Sequence, residues 1–316
     1  MTPKEAEDFI RFRKGSPIAV DADGDANGGM SSPLSTSTTS TTSSTTSLPT
    51  TANRHIGEAA VQQPIVSARW VVLQNLHCLP WLGLSVGTVS IVTPYLVAVY
   101  KGDVPAWLPF ISDAGGDPPQ SAIFSMGMTL VGLMFCIGIY LCYLILEAQN
   151  VKDCKLVTSL GKVLVVTGFL MSIGLFGVAT NPTGHLRRDG GWATVVLIPH
   201  MIGAVLFFVS GIAMMVILTF TTYLIQKPNW LNLIFITRFV VMAGSLLGGF
   251  LVLVALPPIP MFEQMKPSPD HGRIYPPGVE VSAFGEWLIV IMFMCFVATF
   301  IPAFGRTKVT LVVDYQ

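Results

Sequence analysis

The chain has 316 residues, 52% of them hydrophobic and 11% charged, with a mean hydropathy of +0.64. A soluble domain carries about 25% charged residues, and a soluble fold of this length would have to hide an implausible excess of apolar surface, whereas a bilayer is itself the solvent for that surplus. Eighteen basic residues balance eighteen acidic ones, so no global field pulls the chain toward nucleic acid. Without a Gly-x-Gly-x-x-Gly, P-loop or Cys-x-x-Cys pattern, a nucleotide-dependent enzyme is not expected.

Residues 1–66 read as a disordered cytosolic tail, because Ser31 to Thr51 is almost entirely Ser and Thr and offers no apolar periodicity. Six apolar segments follow, at about 76–100, 123–146, 160–180, 195–222, 231–256 and 284–303. Each is near the ~20 residues that cross a hydrocarbon core, and backbone groups in lipid must be satisfied within the segment, so helices are predicted. The expected fold is an all-α, six-helix integral membrane bundle over 67–305, followed by a short cytosolic tail at 306–316. The first segment starts too late for a cleaved signal peptide and is read as an uncleaved signal-anchor.

Orientation follows from the basic flanks. With the N-terminus inside, Arg54, Arg69, Lys152, Lys155, Lys162, Lys227, Arg238, Arg306 and Lys308 fall on the cytosolic side. Lys101, Arg187, Arg188, Lys266 and Arg273 fall opposite, among more acidic residues. Both termini are therefore expected in the cytosol. The cysteines Cys78, Cys136, Cys142, Cys154 and Cys295 imply no disulfide framework.

The lumenal loops carry the unusual chemistry. Residues 101–122 hold Asp103, Asp113 and Asp117 among four prolines, and 257–283 holds seven prolines, which stiffen the backbone. Pro109, Phe110, Ile111, Ser112, Asp113, Gly115, Asp117, Pro118 and Pro119 form the candidate functional loop. Two carboxylates four apart allow a hard cation or a shared proton, but Gly and Pro beside Asp are ordinary turn chemistry, and a turn shaping a lumenal cap is the expectation. No catalytic, cofactor-binding or metal-ligating set is predicted.

Ionisable residues inside spans are costly and mark sites worth testing. Glu147 and Arg238 lie on the cytosolic side and are expected to approach each other if the second and fifth helices are neighbours. His200 and Glu286 lie on the lumenal side as a second candidate pair, either proton-sensing or a structural hydrogen bond. Gly83-x-x-x-Gly87 and Gly244-x-x-x-Gly248 are read as close-packing surfaces. Gly83-Leu-Ser85-Val-Gly87 also matches the nucleophile-elbow pattern, but it lies inside an apolar span rather than at a strand-to-helix turn.

The loop sequence Leu108-Pro-Phe-Ile-Ser-Asp-Ala-Gly-Gly-Asp-Pro-Pro-Gln-Ser-Ala-Ile-Phe124 resembles the signature of the damage-regulated autophagy modulator (DRAM) family and its FRAG and SFK relatives. His200-x-x-Gly203-Ala204 with Gly211, and Ser282-x-x-x-Glu286-Trp287, resemble further stretches of the same family. The likeness runs from about Arg69 to Lys308, and departs from the family at Ala122 and Glu147. It implies a six-pass protein of lysosomal, endosomal or plasma membranes with no assigned active site. The expected function is non-enzymatic regulation of autophagy, lysosomal or membrane-lipid homeostasis through partner proteins or specific lipids in the bilayer. The alternatives are a transporter or channel and a plasma-membrane protein that organises phospholipid asymmetry or recruits phosphoinositide kinases; a lipid-remodelling enzyme is a third.

Overall fold

A computed structural model describes residues 66–186, 190–226, 232–255, 264–267 and 272–315. Residues 1–65 of the tail expected over 1–66 lie outside them, as do Arg187, Arg188, Lys227 and Pro257, Pro258, Pro260 and Pro269 of the proline-rich loop expected on the lumenal side. Contacts divide the chain into two units, 69–312 with the helices and the outer 1–68 with 313–316. The elements are β1 (Val66–Leu73), α1 (Cys78–Lys101), α2 (Ile111–Ala114), α3 (Gln120–Gln149), α4 (Lys155–Thr180), α5 (Thr194–Gln226), α6 (Leu233–Val254), α7 (Val279–Ala298), α8 (Ile301–Gly305) and β2 (Val309–Tyr315). Among the described residues six helices are long and apolar enough to cross a membrane, the last counted as Val279–Gly305.

The protein is an all-α six-helix membrane bundle. Large apolar side chains such as Leu82, Phe169 and Phe239 stay exposed on its outer surface, where lipid is the solvent. Hydroxyls within the spans bond back to their own helix, as Ser172 does to Gly168 O at 3.0 Å and Thr221 to Ile217 O at 2.8 Å, so few polar groups face hydrocarbon unmatched.

Each membrane helix packs on its neighbour in sequence, and α1 also touches α7, so the six close into a ring. The α4–α5 and α6–α7 crossings are the most intimate, and the α5–α6 and α1–α7 seams are looser. Glycine explains the tight pairs. A Cβ at Gly285 would stand 2.7 Å from Gly248 O, and one at Gly203 would stand 2.8 Å from Gly174 O, so only hydrogen fits at either crossing. Gly248 belongs to the second of the two glycine pairs read from the sequence, and Gly83 and Gly87 face Met134 and Val131 of α3. Both pairs therefore pack within the bundle.

Three features differ from expectation. Residues 309–315, expected as tail, form β2 and pair with β1 in a two-stranded sheet. The last span ends its first helix at Ala298 and restarts as α8 with Pro302 in its first turn, where a missing N–H removes no helical bond. Polar Gln120 and Lys155 begin helices three to five residues before the apolar runs they lead into. Hydropathy marks the lipid-facing part of a helix and not the turn that precedes it.

A buried arginine organises the loop end

The loop after α1 is anchored residue by residue. Helix α1 stops at Gly102, whose φ of +76° suits glycine. Asp103 then accepts hydrogen bonds from Lys101 Nζ at 2.8 Å and from Gln120 Nε2 at 2.7 Å, which ties the start of the loop to its end. Farther along, Trp287 Nε1 donates to Pro109 O at 2.8 Å, and Phe110 N donates to the Tyr275 hydroxyl at 2.9 Å. Ile111 N donates to Glu286 Oε2 at 2.9 Å, so a carboxylate from α7 caps the single turn of α2. The Thr183 hydroxyl donates to Ser112 O at 2.9 Å.

Asp113 is the hub. Its Oδ1 forms an ion pair with Arg273 Nη1, and the Thr183 hydroxyl lies 3.1 Å from the same oxygen. Its Oδ2 accepts from the Tyr275 hydroxyl at 2.8 Å. Asp117 Oδ2 lies 3.7 Å from Arg273 Nη2. The Arg273 side chain is 1% exposed, and its backbone N–H donates to Asp103 O at 3.0 Å. Burial alone would depress the Arg273 pKa, but Asp113 and Asp117 beside it outweigh burial and hold it above the ordinary arginine value. Burial pushes Asp117 above the usual carboxylate range, with Arg273 offsetting part of that shift. Burial, with Asp113 next to it, raises the Tyr275 phenol well above its usual value.

The glycines of the loop motif make room for this guanidinium. A Cβ at Gly116 would come within 2.5 Å of Thr183 O and 3.1 Å of Arg273 Nη2. Gly184, at φ +90°, lies directly against Arg273 Nη2. Gly115 gives way to the Phe124 ring instead, where a Cβ would stand 2.5 Å from the ring. The run Asp113-Ala-Gly-Gly-Asp117 is thus a cradle for an arginine about 160 residues away in sequence. A guanidinium fills the place between the two carboxylates where a cation ligand set was conceivable. Among the described residues no three His, Cys, Asp or Glu side chains converge on a metal-sized site.

The other two sequence-derived pairs do not form. Glu286 is bound to the Ile111 amide, and His200 Nδ1 lies 2.7 Å from Asn181 O, an acceptor to which it can only donate. His200 is buried at the same end of the bundle, but the two side chains serve different loops. Arg238 makes no ion pair with Glu147. Its Nε donates to Thr299 Oγ1 at 2.9 Å and its Nη1 to Thr222 Oγ1 at 3.0 Å, and its Cζ sits 4.0 Å from the Phe300 ring centre. The ring order is the reason: α3, which carries Glu147, packs on α1 and α4, whereas α6, which carries Arg238, packs on α5 and α7. Thr183, Arg273 and Tyr275 are the neighbours of the candidate loop that sequence reasoning missed. A lone arginine and tyrosine in a proline-rich loop facing an acidic loop was the available signal.

Residues 75–307 match the model of the Frag1/DRAM/Sfk1/Cwh43P N-terminal domain. The chain is 27% identical over 247 residues to DNA damage-regulated autophagy modulator protein 1 of Xenopus laevis, covering 76% of this chain and 95% of that one. It is 28% identical over 233 residues to the Homo sapiens protein of the same name, covering 73% and 92%. With modulator of macroautophagy TMEM150B of Danio rerio it shares 27% identity over 139 residues, covering 43% and 53%. No solved structure matches it. The matched span begins at Asn75, just before α1, ends at Thr307, just after α8, and contains every residue of the arginine-centred cap, so the chain belongs to the Frag1/DRAM/Sfk1/Cwh43P N-terminal domain family.

Proposed function

We propose that this chain is a non-enzymatic, multi-pass regulator of autophagy and of lysosomal or membrane-lipid homeostasis that acts by contact with partner proteins or lipids. Its termini lie in the cytosol, and the arginine-centred cap faces the lumen of a lysosome or endosome or the outside of the cell. The observation that carries the contact reading is the commitment of the cap's acidic side chains. Glu286 holds the Ile111 amide, and Asp113 holds Arg273 and Tyr275. A general acid or base has to reach a substrate proton, and these groups instead fix a loop. The names of the relatives supply the autophagy part of the reading.

The test is autophagic flux in cells lacking the protein, with rescue by wild type and by Glu286→Gln. Glutamine keeps an acceptor for Ile111 but cannot act as an acid, so full rescue is expected. Unchanged flux after knockout would overturn the autophagy assignment. Loss of rescue by a Glu286→Gln protein that still folds and reaches its membrane would overturn the contact mechanism.

A further inference from the structure

The ring of helices encloses a cavity of about 640 Å³, within the roughly 300–1,000 Å³ of small-molecule sites. Its wall is apolar, built from Val131 and Phe135 of α3, Leu175 of α4, Phe207 of α5 and Phe293 of α7. Glu286 and Phe296 both line it, ten residues apart on one helix. That separation is about 15 Å at ~1.5 Å per residue, the depth of one leaflet of a ~30 Å hydrocarbon core.

Polar lining is gathered at the capped end, where Arg273, Trp192 and His200 contribute together with the carboxylates of Asp113 and Glu286. Arg273 Nε and Nη2 and Trp192 Nε1 are buried donors without a hydrogen-bond partner among the described residues. A buried donor left unmatched costs about 1–3 kcal/mol; Nη2 already has Asp117 at 3.7 Å, so Arg273 Nε and Trp192 Nε1 are the donors that call for acceptor oxygens. They do not call for a net negative charge, because Asp113 and Asp117 already face the guanidinium.

The cavity also reaches the outer surface. Ile212 of α5 packs over Gly249 of α6, 3.3 Å from where its Cβ would stand. From that contact toward the cap, Val205 and Val209 on α5 and Phe250 and Leu253 on α6 both line the cavity and are 60–74% exposed. This stretch lies on the looser α5–α6 seam.

We propose that the cavity takes an acyl chain of a zwitterionic phospholipid from the adjoining leaflet through the α5–α6 seam. Its ester and phosphate oxygens meet Arg273 Nε and Trp192 Nε1, and its ammonium faces the carboxylates of Asp113 and Glu286 that line the same end. The apolar wall takes the chain, and a neutral headgroup suits a cap whose arginine is already balanced. This gives the lipid arm of the proposed function a site, and it rests on that arm alone.

The test uses the full chain purified into phosphatidylcholine vesicles that contain a trace of phosphatidylcholine with a photoactivatable diazirine in one acyl chain, with labelled peptides mapped by mass spectrometry. Labelling of interior positions around Phe135 and Phe293 is expected. Ala204→Phe, which fills the cavity from α5, is expected to reduce interior labelling at least five-fold while labelling near outward-facing Leu82 is unchanged. Trp192→Phe, which removes one donor and keeps an aromatic ring, is expected to reduce it two- to five-fold. Labelling confined to outward-facing residues, or interior labelling that neither variant reduces, would overturn the proposal. Stronger interior labelling by a phosphatidylglycerol probe than by phosphatidylcholine would overturn the choice of a zwitterionic head. Rescue of flux by wild type alongside a failed labelling experiment would refute the cavity site and leave the autophagy reading standing.

Discussion

Arg273 and Arg238 are both withdrawn from the surface, at 4% and 6% exposure, yet their surroundings share little. Arg273 sits in loops at the capped end with Asp113 paired to it and Asp117 close by. Arg238 sits within α6 near the opposite end and rests on two threonine hydroxyls, a carbonyl at 3.5 Å and the face of Phe300. The threonines are satisfied without it, since Thr222 also bonds to Leu218 O and Thr299 to Phe296 O, both at 2.7 Å. One arginine is therefore the keystone of an ion-paired network, and the other is a guest on neutral groups. Removing the first strands charge in a dry site, and removing the second strands nothing.

Four predictions test that contrast by melting the purified protein in detergent. The largest effect is expected from Arg273→Met, which leaves Asp113 and Asp117 facing each other without a counter-charge and should cost about 3–5 kcal/mol. Gly184→Ala comes next, because its Cβ would overlap Arg273 Nη2 at a positive φ, and it should cost about 1–3 kcal/mol. Arg238→Met should cost about 1–2 kcal/mol, the loss of charge-assisted hydrogen bonds and of a ring contact with no orphan left behind. A loss at Arg238 equal to that at Arg273 would break the comparison.

The smallest effect concerns pH. Burial raises the folded Asp117 pKa above its unfolded value, so the folded state binds that proton more tightly. Through Asp117, stability then rises as pH falls through the window between the folded and unfolded values, and is lost as pH rises above it, the opposite of the usual salt-bridged carboxylate. As pH falls from neutral toward the ordinary carboxylate value of about 4, wild type should gain melting temperature relative to Asp117→Asn. A difference that stays constant across this range would contradict the assignment.

The spans were legible in the sequence because lipid imposes one requirement on every turn of each helix, and hydropathy reports it directly. The loop 108–119 was legible too, as an unusual density of Asp, Gly and Pro. Its partner was not. Arg273 read only as one flanking charge, since nothing local links it to Asp113, and Tyr275 sat among prolines that signal stiffness rather than contact. Sidedness placed His200 near Glu286 and Glu147 near Arg238, but sidedness does not tell which helices are neighbours. A ring in sequence order separates α3 from α6, while Glu286, His200 and Arg238 are each held by other groups.

A double-mutant cycle on Asp113→Leu and Arg273→Met tests the central claim, that this pair locks the cap, most directly. The pairing predicts that the double variant is more stable than the sum of the single losses by at least about 1.5 kcal/mol, because each single change strips the other side chain of its nearest counter-charge and the double change removes both, with Asp117 present throughout. Additivity within about 0.5 kcal/mol would mean that the two side chains do not depend on each other.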